Sequence, residues 1–130
     1  MLELLSPAGS MEALRAAVQN GANAVYLGIG TFNARQGAKN FTLETLGEAL
    51  KYCHVRGVDV HLTLNTLVTD REFKAVSELI RRTAELGVDA FIVQDLGVAQ
   101  LCRQIAPEVP VHGSTQLTVH SLPGVQLCAA

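Results

Sequence analysis

The sequence has no tryptophan and few aromatic residues of any kind, two tyrosines and four phenylalanines in 130 residues. Its apolar mass therefore falls on Leu, Val, Ala and Ile, a mix that suits buried parallel strands covered by Ala- and Leu-rich helices. It has no run of like charges, and its formal net charge is −2. That excludes a cationic footprint for nucleic acid or an anionic membrane surface, so any RNA-directed role must borrow positive surface from elsewhere. It has no Cys-x-x-Cys pair. The three cysteines, Cys53, Cys102 and Cys128, are odd in number and far apart, which writes no zinc ribbon or cluster site here. They read as free thiols of a reducing cytoplasm. A charged n-region followed by an apolar h-region is absent from the start, so no signal peptide is read there. No apolar run reaches the ~20 residues that span a bilayer, so no membrane is expected as a partner.

What is present is a repeat. Residues 2–5 read as a strand, Ser6-Pro7-Ala8-Gly9 as a turn, and Ser10 as the cap of a helix over about 11–20 that Gly21 stops. Residues 23–28 form a second strand. A long connection, Ile29 to Phe41, leads to Thr42, the cap of a helix that runs to about Arg56 and closes at Gly57. Residues 58–65 alternate strictly as a third strand. Thr69 and Glu72 have capping-box spacing for a helix that Gly87 ends. Residues 90–94 are a fourth strand, Asp95 to Ala106 a fourth helix stopped by Pro107, residues 109–114 a fifth strand, and a fifth helix begins near His120. The phrase Gly21-Ala22-Asn23-Ala24-Val25 returns as Gly57-Val58-Asp59-Val60 and Gly87-Val88-Asp89-Ala90, after 36 and then 30 residues.

Strands alternating with helices at this spacing predict an α/β chain of parallel (βα) units with right-handed crossovers. A doubly wound sheet and a TIM-like barrel both satisfy the pattern. The barrel is favoured because the first turn lacks Gly-x-Gly-x-x-Gly, and because the polar face of the third strand is easier to place inside a barrel than under helices. A closed barrel takes about 250 residues. Residues 1–130 are thus expected to be a single unit, about four and a half βα repeats, the first half of a barrel that stops before closure.

In such barrels the site lies at the C-terminal ends of the strands. That rule selects Ser6, Gly28, Asn65, Gln94, Asp95, Ser114 and Gln116. Amides and hydroxyls orient ligands but are poor acids, bases and nucleophiles at neutral pH, so this half is expected to bind rather than to react. The alternative, that each merely satisfies loop amides, stays open, since such sites use few polar groups. The connection from Ile29 to Phe41 exceeds the usual ~2–6 residues; its Arg35 could fork onto a carboxylate or phosphate, or pair with a nearby acid.

The third strand points Asp59, His61, Thr63 and Asn65 to one face, inward, and Val58, Val60, Leu62 and Leu64 to the other. His61 and His112 could meet inside, but with no carboxylate at a definite spacing they are expected as hydrogen-bonded core histidines and not as metal ligands. Glu3 is expected within the first strand, buried and paired with a cation of the barrel floor. Cys53 and Cys102 are expected to be packed on helices, as small apolar residues. No nucleophile elbow is present.

At the junctions the words themselves form a pattern: Glu3-Leu-Leu-Ser-Pro-Ala-Gly9, Gly21-Ala-Asn-Ala-Val-Tyr-Leu-Gly28, Asn33-Ala-Arg35, Asn40-Phe-Thr42, Thr63-Leu-Asn65-Thr66, Gly87 to Gly97, and Ser114-Thr-Gln116. Over essentially the whole chain they resemble the N-terminal region of the collagenase-like peptidase family, the peptidases of unassigned mechanism. The resemblance implies a barrel-type domain. For the parent protein it implies one of two activities: oxygen-independent hydroxylation of RNA pyrimidines drawing on prephenate, or proteolysis. Related ubiquinone hydroxylation proteins carry an iron–sulfur cluster. The family's cysteine segment has no matching positions here, so the fragment itself is expected to hold no cofactor and to be inactive alone. The resemblance carries over a substrate-binding set: Glu3, Ser6, Tyr26, Asn33, Arg35, Asn65, Gln94, Asp95, Ser114 and Gln116. The expected partners are an RNA or protein substrate of the parent, and a second copy met through the open barrel edges.

Overall fold

The computed structural model describes residues 2–30 and 41–129. In chain order the elements are β1 (Leu5–Pro7), α1 (Met11–Gln19), β2 (Ala24–Gly28), α2 (Leu43–Val55), β3 (Asp59–Leu64), α3 (Phe73–Leu86), β4 (Ala90–Val93), α4 (Leu96–Ile105), β5 (Val111–Gly113) and α5 (Leu122–Ala129). Single 3₁₀ turns at Asp70–Glu72 and Thr115–Leu117 precede α3 and α5. The local signals work as the sequence suggests. The Ser10 hydroxyl accepts from Ala13 N–H at 3.1 Å, and Thr42 and Thr45 cap each other reciprocally at the start of α2. Gly87 ends α3 at φ 105°, a left-handed conformation that costs glycine little.

The sheet is parallel throughout, in the order β1-β2-β3-β4-β5. Neighbours in sequence are neighbours in space, so every crossover steps the same way and there is no strand-order reversal of the kind a doubly wound sheet uses. Right-handed crossovers then stack the helices in a row on one face. The core lies between them. Val25 and Leu27 of β2, Val60, Leu62 and Leu64 of β3, and Phe91 and Val93 of β4 point at Leu14 of α1, Leu46 and Leu50 of α2, Val76 and Ile80 of α3 and Val98 of α4, all buried. Thr83, in this core on α3, returns its hydroxyl to the Leu79 carbonyl at 2.7 Å, which removes the cost of burying it. The opposite, concave face carries the alternate residues, and Leu5, Pro7, Asp59 and His112 lie exposed along it.

Two expectations at the start of the chain are corrected, and the Thr69–Glu72 capping box is present. The first strand is Leu5–Pro7 and not residues 2–5, because the Asn23 side chain takes the Leu4 amide at 2.8 Å while the Leu4 carbonyl takes the Asn23 amide, setting the pairing one step later. Pro7 is tolerated because β1 is an edge strand. Glu3 therefore lies before the strand, exposed, and not buried in it. At α3, Glu72 accepts from both the amide and the hydroxyl of Thr69, at 2.9 Å each, while its own amide bonds the Thr69 carbonyl. These bonds hold the Glu72 carboxyl below its usual range.

Two regions stay uncovered. α5 buries none of its residues, and its Leu122 and Leu127 are exposed. A groove of about 900 Å³ runs between α4, β5 and α5, lined by Leu96, Pro110, Val111 and Leu127 among others. Among the described residues no helix is long and apolar enough to cross a membrane.

Candidate functional site

Parallel pairing brings the strand ends into one row. Thr63 pairs with Ile92, and Ile92 with His112. Two residues further on stand Asn65, Gln94 and Ser114, directly after β3, β4 and β5. The Ser114 amide still bonds the Val93 carbonyl at 2.7 Å, so the register holds to that point. All three continue the inward alternation of their strands, and all three are half-buried. The result is a short strip of amide, amide and hydroxyl at the C-terminal edge of the concave face.

The other predicted residues divide. Tyr26 lies mid-strand on the same face, half-buried, in register with Pro7 and His61. Ser6 sits in the middle of β1, in register with the core residue Val25, so its alternation carries it away from the concave face; its hydroxyl donates weakly to the Pro7 carbonyl at 3.4 Å. Gln116 is exposed in the turn before α5, and its amide bonds the Ser114 hydroxyl at 3.2 Å. Glu3, exposed, is set below the strip near the N-terminal ends of the strands. Asn33 and Arg35 lie outside the described residues.

Asp95 faces the protein itself. It caps α4, one oxygen accepting Gly97 N–H at 2.8 Å and the other Val68 N–H at 3.2 Å. It thereby ties the β3–α3 connection to the start of α4. The sequence marks Asp95 as a helix cap but gives no sign of its second bond, which joins residues 27 apart.

The inward histidines do meet. The His61 and His112 rings lie 5.1 Å apart, centre to centre, at 81°. The expectation of two hydrogen-bonded core histidines holds for the burial of His61 and is corrected for the rest. His112 is exposed, and the buried Nδ1 of His61 has no hydrogen-bond partner. Burial, reinforced by His112, pushes the His61 pKa down, while the carboxylates of Glu3, Asp59 and Asp89 oppose this. Thr63, between these rings and the strip, spends its hydroxyl on the Leu27 carbonyl at 3.1 Å.

The cysteines do not fit an iron–sulfur cluster. Cys53 and Cys102 are buried on different helices, α2 and α4, and Cys128 is exposed on α5. Burial pushes the first two thiols up to about 11 and about 12, away from the thiolate that a cluster or a nucleophile needs. One further feature was invisible beforehand: Thr118, after the last 3₁₀ turn, has φ 61°, a left-handed conformation uncommon for a β-branched residue.

Comparison with known proteins places these features in context. A family model described as "Peptidase family U32" matches residues 9–130. A tRNA hydroxylation protein P of Helicobacter pylori is 42% identical over 127 residues, covering 97% of this chain and 30% of that protein. The 23S rRNA 5-hydroxycytidine C2501 synthase of Escherichia coli is 39% identical over 121 residues, covering 93% and 18%. A collagenase of Porphyromonas gingivalis is 36% identical over 118 residues, covering 90% and 28%. In fold, the chain is similar to the solved U32 peptidase Mk0906, with a TM-score of 0.71, 15% identity, and coverage of 95% of this chain and 53% of that one. The chain thus spans under a third of the length of these curated relatives.

Proposed function

Because the chain belongs to peptidase family U32, we propose that it forms the first half of a TIM-like barrel in a cytoplasmic enzyme that hydroxylates RNA pyrimidines, and that its part is to bind the substrate. The observation that carries this reading is the strip of Asn65, Gln94 and Ser114. Each of these groups can both donate and accept hydrogen bonds, as a pyrimidine edge requires. Among the described residues no activated nucleophile stands beside the strip: the two buried thiols lie on α2 and α4, where burial pushes them up to about 11 and about 12. The names of the Helicobacter and Escherichia relatives supply the reaction class and the RNA. In this reading Tyr26 offers a ring lower on the same face, level with His61, and Arg35 an anion contact. An oxygen-independent reaction drawing on an iron–sulfur cluster would belong to the parent protein; the cysteines of this chain, on three different helices, offer it no ligand set.

The test is mass spectrometry of nucleosides from transfer and ribosomal RNA of a deletion strain. The full-length gene restores a hydroxylated pyrimidine, and the Asn65→Ala, Gln94→Ala double variant does not. Unchanged RNA in the deletion strain refutes the reading. A second reading, peptidase activity, is supported by the collagenase name of one relative; cleavage of collagen by the full-length protein, with RNA unaltered, would establish it instead. A third, non-catalytic reading rests on the two open edges, β1 and β5. Unpaired edges invite strand pairing, so the 130-residue chain alone pairs with a second copy. Sedimentation as a stable monomer counts against that.

A further inference from the structure

The concave face holds one anomaly that the strand-end strip does not absorb. His61 is 6% exposed, yet its Nδ1 is buried without a partner. An unsatisfied buried nitrogen costs about 1–3 kcal/mol, so a fold that keeps one invites the question of what it meets.

The setting narrows the answer. His61 pairs with Ala90, and His112 with Ile92, so the two histidines are offset by two residues across two strands. One residue of stagger per strand is the shear of an eight-stranded barrel, which puts both rings in one inward layer. Ala90, between them on β4, has no bulk to separate them. The resulting distance, 5.1 Å, is close to the ~5 Å between ring centres when two imidazoles bind one tetrahedral ion at ~2.1 Å. Neutral imidazole is the form that ligates a metal.

We propose that His61 and His112 form a two-imidazole site for a borderline transition-metal dication such as Zn²⁺ on the concave face of the sheet. Among the described residues no group of three or more His, Cys, Asp and Glu side chains is placed to hold an ion, so water completes the coordination. Imidazole selects zinc, copper or nickel over magnesium and calcium. The site is independent of the RNA reading, because its test uses no catalysis.

The experiment is calorimetric titration of the untagged 130-residue chain with Zn²⁺ at neutral pH, with imidazole proton shifts followed by NMR. The expected result is one equivalent bound and shifts at both His61 and His112. His112→Ala keeps the fold, because His112 is exposed, and weakens binding by roughly tenfold or more, at least the loss seen when a mere supporting group is removed. His120→Ala, which removes an exposed ring bonded to the Thr118 carbonyl, leaves it unchanged. Absence of saturable uptake at millimolar Zn²⁺, or uptake that His112→Ala leaves intact, overturns the proposal.

Discussion

Asp95 is the predicted binding residue that the structure most clearly occupies with other work, and its removal has a calculable cost. One oxygen caps α4 through Gly97 N–H at 2.8 Å, and the other holds Val68 N–H at 3.2 Å. Loss of an Asp cap costs about 1 kcal/mol. The second bond, charge-assisted but long, adds about 1 kcal/mol. Asp95→Ala should therefore destabilise the chain by about 2 kcal/mol, lowering Tm by roughly 8 °C for a domain of this size. Asp95→Asn keeps a carbonyl oxygen for the cap and loses mainly the Val68 tie, so about 1 kcal/mol is expected. Urea unfolding followed by circular dichroism measures both, with the m-value unchanged. If Asp95→Ala costs less than about 0.5 kcal/mol, as an ordinary surface substitution would, the two bonds are not structural and the carboxylate is free for a ligand. The full-length protein gives the complementary outcome. Asp95→Asn should still restore RNA modification; loss of modification at unchanged stability would return Asp95 to the binding set.

Three further outcomes follow from the same geometry. With Cys53 and Cys102 pushed up to about 11 and about 12, only the exposed Cys128 should react quickly with Ellman's reagent near pH 8; two or more fast equivalents contradict the burial described. A Cβ on Gly97 would stand 3.0 Å from the Phe73 ring and 3.1 Å from the Asp95 oxygen, so Gly97→Ala should lose about 1–2 kcal/mol to crowding despite the better helix propensity of alanine; a rise in Tm would show that Phe73 yields freely. Because His61 is held below its ordinary value of 6.5, the unfolded chain takes up that proton first as pH falls. Stability is then full above about 6.5 and declines below it, down to the depressed folded value. His61→Leu should flatten that decline in urea midpoints; an unchanged slope would assign it to other groups.

The repeat was legible because each junction is written locally. A cap such as Ser10 or Thr42, a stop such as Gly87, and an apolar alternation such as Val58 to Leu64 act within a few residues, and each is found where the sequence puts it. The sheet order was half legible: alternating units demand parallel strands, but only the pairing itself decides between one direction of winding and two. What the sequence could not show depends on long-range register. β1 begins later than its apolar run suggests because Asn23, nineteen residues away from Leu4, fixes the pairing. The same holds at the site. Asn65, Gln94 and Ser114 could be listed as strand ends, yet their standing side by side follows from two registers in succession. Asp95 looked equally available until Val68 was brought to it.

His61 and His112 carry that reasoning one step further. On an untwisted ladder the partner of His61 two strands away would be residue 110, a proline, and the histidines would not face each other. They meet although the pairings offset them by two residues, with only the small Ala90 between them on β4. The contact thus joins residues whose spacing in sequence carries no signal. A substitution that enlarges residue 90 tests this without touching either ring. Ala90→Leu should force the imidazoles apart, since a buried site tolerates added methylenes poorly. In the variant, NMR contacts between the two rings should vanish while those across β3 and β4 persist; rings that stay in contact would mean that something other than the space over Ala90 holds them together.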